Sequence, residues 1–136
     1  MSGTYEDLTV WQKAIQLVLF IYALTKRFPD DELYSLTKQL RRAAVSIASN
    51  IAEGKGRDTD RDLLRFLSMA RGSLFEVKTQ LVIARELGYL APDSIKLASA
   101  KTDQVGRLLN GLINSVRARL NKRSAQPESF PEDCSS

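Results

Sequence analysis

Residues 35–57, SLTKQLRRAAVSIASNIAEGKGR, combine a helical period of apolar residues with many small side chains, and these two features indicate the fold. Apolar residues recur every three or four positions in this stretch and just before it, which is typical of a helix with one buried face. These residues are Leu33, Leu36, Leu40, Ala44, Ile47 and Ile51. Gly54 and Gly56 follow, and glycine commonly supplies the left-handed turn that ends a helix. The pattern predicts a helix from about Asp31 to Glu53.

Small side chains cover much of the surface of this helix: Ala43, Ala44, Ser46, Ala48, Ser49 and Ala52. Small residues allow another backbone to approach closely. We therefore expect this helix to make contact on two sides, with the core of its own chain and with a neighbouring subunit in a closed ring. The alternative is a well-packed monomer.

The helix that precedes this stretch is apolar on nearly every side. It is predicted from about Leu8 to Arg27, and its middle, AIQLVLFIYAL at positions 14–24, has ten apolar residues in eleven. A helix on the surface of a monomer usually carries one apolar stripe. The composition of this helix therefore also favours assembly of several copies.

Two more helices follow the opening stretch. The third is predicted from about Asp60 to Leu87, with Thr59 as the N-cap and Gly88 at its end. The fourth is predicted from Pro92 to about Lys122, since proline suits a first helical turn. Arg71, Lys78 and Arg85 recur every seven residues beside the apolar stripe of the third helix. We expect them to pair with acids across a helix interface.

Four helices with short connections predict an all-α fold, an antiparallel up-and-down four-helix bundle over residues 1–123. The remainder, residues 124–136, reads SAQPESFPEDCSS and has three acidic residues and no basic one. Its composition predicts a flexible acidic tail.

The composition argues against an enzyme. The chain of 136 residues has no histidine, the commonest general base and metal ligand, and its single cysteine, Cys134, allows no internal disulfide or cysteine-type zinc site. We therefore expect no catalytic site, metal or cofactor. The longest apolar run, residues 17–24, is far shorter than the ~20 residues of a membrane span. Glu6 and Asp7 replace the basic start of a signal peptide, so the expected location is cytoplasmic, away from membranes.

Basic residues are concentrated outside the tail. All 20 Lys and Arg lie within residues 1–123, together with 13 of the 16 acidic residues. We expect seven of the basic residues to gather near the junction of the second and third helices and to bind RNA or DNA phosphates: Lys38, Arg41, Arg42, Lys55, Arg57, Arg61 and Arg65. The alternative is a solvated, salt-bridged surface, since Asp58, Asp60 and Asp62 are interspersed.

Three segments of the sequence resemble a known family: VWQKA at 10–14, FPDDELYSLTKQLRRAAVSIASNIAEGKGR at 28–57 and FLSMARGSLFEVKTQLVIARELGYL at 66–90. They closely resemble the small four-helix-bundle proteins that are encoded within intervening sequences of bacterial 23S ribosomal RNA genes. The resemblance covers about residues 5–120. It implies an up-and-down bundle that assembles into a homopentameric ring, and the genetic setting of the family suggests association with RNA.

A similar group of proteins suggests a second function. These are the accessory proteins of diversity-generating retroelements, basic pentameric barrels that bind a reverse transcriptase and nucleic acid. The resemblance therefore leaves a protein-interaction scaffold, such as a reverse-transcriptase accessory, as the alternative to a nucleic-acid-binding oligomer.

The family pattern falls on Arg41, Arg42, Ser46, Asn50, Glu53 and Gly54, and it supplies no established role for them. Asn50 and Glu53 are the hardest to explain by packing. We expect them to bond across a subunit interface or to tie the turn, because buried polar groups require partners. Residues expected at an oligomer interface or in a structural motif are Trp11, Phe20, Ser46, Asn50, Glu53 and Gly54.

Overall fold

A computed structural model describes residues 4–125 of the chain. It contains four α-helices, α1 (Thr9–Thr25), α2 (Leu36–Lys55), α3 (Asp60–Glu86) and α4 (Pro92–Ala125). Short 3-10 turns lie at Tyr5–Asp7 and Asp30–Glu32. Among the described residues there is no β-strand, so the predicted all-α fold is confirmed.

The four helices form a bundle in which each helix packs against two neighbours. Helix α1 packs against α2 and α4, and helix α3 packs against the same two helices, so α1 and α3 lie on a diagonal. The Ser46–Ser73 hydrogen bond joins α2 to α3, and the ion pair between Lys78 and Asp103 joins α3 to α4. This arrangement fits the up-and-down order, in which short connections make successive helices antiparallel neighbours.

The core lies along the centre of the bundle and draws on all four helices. Its largest fully buried side chains include Leu17 and Ile21 from α1, Leu40, Ile47 and Ile51 from α2, Leu67, Leu74 and Val77 from α3, and Val105, Leu109, Ile113 and Val116 from α4. Nearly all of the apolar period predicted for α2 is therefore buried. Leu33 is the exception, with 46% of its surface exposed, because it precedes α2 instead of lying within it.

The acidic segment before α2 forms a separate turn, so α2 begins at Leu36 and not at Asp31. The 3-10 turn at Asp30–Glu32 is anchored to the α3–α4 connection, where the Tyr89 hydroxyl donates a 2.8 Å hydrogen bond to Glu32 Oε2. This bond and the nearby negative charge raise the pKa of Tyr89. The three acids thus belong to a structural connection.

The helix ends agree with the sequence prediction at α3 and disagree at α2. Thr59 caps α3 by accepting a hydrogen bond from the Asp62 backbone N–H, and Gly88 ends the helix with φ +79°. The expected left-handed turn at Gly54 or Gly56 is wrong: α2 continues through Lys55, and Gly56 has φ −82°. The expected glycine conformation is unnecessary there, because the Gly56 N–H bonds back to the Ala52 and Glu53 carbonyls.

Helix α1 hides most of its apolar surface within the chain. Trp11, Ile15, Val18, Phe20 and Leu24 are half-buried and pack against the core. What remains outward is Leu19, with 64% of its surface exposed, and part of Tyr22. The sequence of α1 is apolar on nearly every side, but α2 and α4 of the same chain cover most of this apolar surface.

Helix α4 extends to Ala125, so the predicted boundary at residue 123 lies inside the last helix. The rest of the predicted tail, residues 126–136, lies outside the described residues. Between residues 4 and 125, no helix has the length and apolar character needed to cross a bilayer.

Candidate nucleic-acid interface

The start of α3 and the end of α4 meet at one corner of the bundle. Ion pairs from Arg119 and Arg123 to Asp60 hold these two helix ends together. The end of α2, the α2–α3 turn, the first two turns of α3 and the last turns of α4 are together called the basic corner below, and they carry eight cations: Lys55, Arg57, Arg61, Arg65, Arg117, Arg119, Lys122 and Arg123. Four acids lie among them, Glu53, Asp58, Asp60 and Asp62.

Asp60 is the acid around which the corner is organised. Arg119 donates two hydrogen bonds to its carboxylate, both at 3.1 Å, and Arg123 adds a third at 2.7 Å. The hydrogen bonds from Arg119 lower the pKa of Asp60, and the charges of both arginines act in the same direction. In return, Asp60 raises the pKa of Arg119. The Asp60 side chain is only 15% exposed, so this contact works as a clamp between α3 and α4.

Two arginines of the α2–α3 turn lie against the ring of Phe66. The guanidinium carbons of Arg57 and Arg65 are 4.6 and 4.7 Å from the ring centroid. Each arginine also has a long, exposed ion pair, Arg57 with Glu53 at 3.6 Å and Arg65 with Asp62 at 3.7 Å. Such exposed pairs are weak, whereas planar guanidinium groups held on a ring keep their donors available for phosphate oxygens.

Four cations of the basic corner form no ion pair with any described residue: Lys55, Arg61, Arg117 and Lys122. Arg61, Arg117 and Lys122 are exposed, and Lys55 is half-buried. Lys122 lies in the last turn of α4, where a cation also offsets the negative end of the helix dipole.

The remaining predicted cations lie at the other end of α2. Fourteen residues separate Arg41 from Lys55, which at the helical rise places them about 20 Å apart. The structure therefore does not gather the seven predicted residues into one cluster. It joins Lys55, Arg57, Arg61 and Arg65, and separates from them Lys38, Arg41 and Arg42.

Arg41 is bound within the chain. Its Nε donates a 2.8 Å hydrogen bond to Thr25 Oγ1, and its guanidinium lies 4.6 Å from the centroid of the Tyr22 ring. Arg41 thus anchors the start of α2 to the end of α1. Lys38 and Arg42 are exposed.

The polar residues of the small-residue stripe lie between α2 and α3. The hydroxyl oxygens of Ser46 and Ser73 are 2.8 Å apart, and the Asn50 amide donates to the Ser46 carbonyl and hydroxyl at 2.9 and 3.0 Å. Glu53 is exposed and pairs with Arg57 at the turn. Asn50 therefore has partners inside the chain, and Glu53 takes part in the turn.

The other residues assigned to an interface or motif fill gaps between helices. Trp11 packs edge-on against Tyr5, with 5.2 Å between ring centroids, and lines a groove of about 240 Å³ between α1 and α2. Phe20 lies at the α1–α4 contact, with Lys101 Nζ 5.5 Å from its centroid. A Cβ atom on Gly54 would lie 2.9 Å from Phe66 Cβ, so Gly54 permits the close approach of α2 and α3.

Comparison with known proteins places the chain in a family. The family model described as 23S rRNA-intervening sequence protein matches residues 6–111. The chain belongs to this family. Its fold is also similar to the crystal structure of a protein with unknown function from the S23 ribosomal protein family of Bacteroides thetaiotaomicron VPI-5482. The TM-score is 0.72 at 21% identity, covering 77% of this chain and 95% of that one. No curated protein matches.

The 23S rRNA-intervening sequence protein family match ends before the last turns of α4. Half of the basic corner therefore lies outside the matched region: Arg117, Arg119, Lys122 and Arg123. Sequence reasoning missed these four residues because it looked for cations near the α2–α3 junction. Their concentration without any acid between positions 114 and 125 is the signal that was available.

Proposed function

We propose that this chain is a non-enzymatic, homo-oligomeric four-helix-bundle protein that binds RNA or other nucleic acid through the basic corner. The observation that carries the proposal is the return of α4 beside the start of α3, where Arg119 and Arg123 pair with Asp60. The same last turns of α4 also carry Arg117 and Lys122 and contain no acid. Phosphate neutralisation by Lys and Arg supplies most of the affinity in non-specific nucleic-acid binding. The description of the matched family names 23S rRNA, which supports RNA as the nucleic acid.

Assembly would multiply the contribution of each corner. Large apolar side chains point outward on two diagonal helices, Leu19 on α1 and Phe75 on α3, with 64% and 57% of their surfaces exposed. Two different apolar surfaces on opposite sides of a protomer suit a head-to-tail contact, the type of contact from which closed rings are built when the rotation between neighbours closes. Five is the number of copies that the family resemblance implies. Several weak basic corners in one ring bind a polyanion far more tightly than a single corner.

The test is a salt titration of RNA binding by the full chain. The variant Arg61→Gln/Arg117→Gln/Lys122→Gln removes cations that have no ion pair in the described chain, so the fold should be unaffected. We expect weaker binding of a single-stranded RNA and a shallower dependence on log salt concentration, by roughly 0.7 for each phosphate that is no longer neutralised. The control variant Lys26→Gln/Lys96→Gln/Arg107→Gln removes the same charge elsewhere. Equal weakening in both variants would argue against the basic corner.

The exposed apolar surface favours a second candidate, a protein-interaction scaffold such as an accessory subunit of a retroelement reverse transcriptase. Phe75 and Val82 lie seven residues apart on one face of α3 and are 57% and 46% exposed. If α3 binds a protein partner, reverse transcriptase should bind the chain in a manner that is insensitive to salt and is abolished in Phe75→Ser. RNA binding would then be absent, or the Arg61→Gln/Arg117→Gln/Lys122→Gln variant would bind RNA as tightly as the wild type does.

A further inference from the structure

Phe66 is a buried aromatic residue that lies outside the central core. Only 6% of its surface is exposed, but the core cluster that runs through the four helices does not include it. The end of α2 lies against it, because an added Cβ on Gly54 would be 2.9 Å from Phe66 Cβ. The guanidinium carbons of Arg57 and Arg65 lie over its ring. Phe66 is therefore a fixed support for two cationic side chains.

The two arginines are held at the ring and are also open to solvent. The side chain of Arg57 is 45% exposed and that of Arg65 is 60% exposed. Their ion-pair partners, Glu53 and Asp62, are 3.6 and 3.7 Å away, which is longer than a hydrogen bond. Each arginine is thus placed by its contact with the ring and keeps free surface for a ligand.

An arginine held in this way can stack on a nucleobase. The guanidinium group is planar, and unpaired bases stack on guanidinium planes as they do on aromatic rings. Every base has a π-face, so such stacking tolerates many sequences. In a duplex the faces of each base are already covered by the neighbouring bases, so only unpaired nucleotides can make this contact.

We propose that Arg57 and Arg65, supported by Phe66, stack on unpaired nucleobases and make the basic corner a site for single-stranded nucleic acid. This inference rests on the proposed function and names the form of nucleic acid that the corner takes. Arg61 lies one helical turn before Arg65 and forms no ion pair with any described residue. It can therefore bind the phosphate beside a stacked base.

A double-mutant cycle with the full-length chain tests the stacking. The variant Arg57→Lys/Arg65→Lys keeps both charges and removes both guanidinium planes. Two single-stranded RNAs with the same number of phosphates are compared, one ordinary and one in which hydrogen replaces every base. We expect the wild type to bind the ordinary RNA at least about 5-fold more tightly than the abasic RNA, and the lysine variant to bind the two nearly equally.

Arg27→Lys/Arg107→Lys is the matched control for the exchange of arginine for lysine. Both arginines are exposed, lie outside the basic corner and form no cation–π contact among the described residues. This control should keep the wild-type preference for the ordinary RNA. A preference of the same size in the wild type and in Arg57→Lys/Arg65→Lys would overturn the inference.

A duplex supplies a second comparison that needs only the wild type. A duplex carries about twice the phosphate charge of a single strand per unit length, so attraction to phosphates alone favours the duplex. Stacking on unpaired bases predicts the opposite order, with the single strand bound more tightly than a duplex of the same length. Tighter binding of the duplex would also overturn the inference.

The inference and the proposed function fail in different ways. Salt-dependent binding of equal affinity for the ordinary and the abasic RNA would reject the stacking and retain the function. No binding of either RNA at low salt by a well-folded wild type would reject the function, and the stacking with it.

Discussion

At the scale of single residues, two adjacent arginines have different roles. Arg41 is held by Thr25 and Tyr22 of α1, whereas Arg42 is exposed and has no ion pair in the described chain. We expect Arg41→Ala to lower the free energy of unfolding by about 1–3 kcal/mol, because it removes a charged hydrogen bond in a partly buried place. Arg42→Ala should leave stability nearly unchanged. Urea unfolding of both variants checks this, and equal stabilities would contradict it.

Gly54 is the residue at which added size should matter most. Gly54→Ala gains about 1 kcal/mol of helix propensity, but its Cβ would meet Phe66 Cβ at 2.9 Å and Leu63 Cδ1 at 3.1 Å. Overpacking of this kind costs about 1–3 kcal/mol, so we expect a net destabilisation of about 1 kcal/mol. Gly72→Ala is the matched control, since nothing lies within 4 Å of the position that its methyl group would take. It should raise the melting temperature, and a rise for both variants would refute the close contact at Gly54.

At the scale of helices, the Asp60 clamp should make the α3–α4 corner sensitive to acid. Arg119 and Arg123 lower the pKa of Asp60 in the folded chain. The clamp's contribution is therefore present above the unfolded pKa of about 3.9, and it is lost as the pH falls through the lower, folded pKa. We expect the difference in unfolding free energy between the wild type and Asp60→Asn to be constant near neutral pH and to shrink in acid.

Urea titrations at several pH values measure this difference, and a difference that grows in acid would contradict the assigned sign. Asp62→Asn is a suitable control. Its ion pair with Arg65 is long and exposed, at 3.7 Å, so its removal should change stability little at any pH.

The helices themselves follow from the apolar period and the end signals. The Leu, Ile and Ala spacing of α2 identified its core face, and Thr59 and Gly88 marked the ends of α3, because these features act over a few residues. Pairings between helices were harder to predict. Lys78 meets an acid, Asp103, as expected, but Arg71 meets the Asn110 amide. The partner depends on the register of two helices, which local spacing does not specify.

The basic corner shows the same limit. Lys55 to Arg65 are close together in sequence and in space, but Arg119 and Arg123 join them only because α4 returns beside α3. Conversely, Lys38 and Arg41 belong to the same helix as Lys55, but they lie near its opposite end. Which charges share a surface is decided by topology, so sequence spacing grouped only the cations that lie close together along the chain.

At the scale of the whole molecule, a head-to-tail ring needs two unlike faces. We expect Leu19→Asp and Phe75→Asp each to yield protomers, since a charge at either face would disrupt one side of every contact. An equimolar mixture of the two variants should form a dimer, because each supplies the intact face that the other lacks. Sedimentation velocity measures these masses. A mixture that stays as protomers would contradict the head-to-tail contact.

The most direct test of the central claim is sedimentation velocity of a fluorescent single-stranded RNA with the full-length chain at low and high salt. We expect the RNA to sediment at low salt with an assembly much larger than the 15.2 kDa chain. High salt, or the Arg61→Gln/Arg117→Gln/Lys122→Gln variant, should release the RNA. RNA that sediments alone at low salt, beside a well-folded wild-type protein, would contradict the central claim.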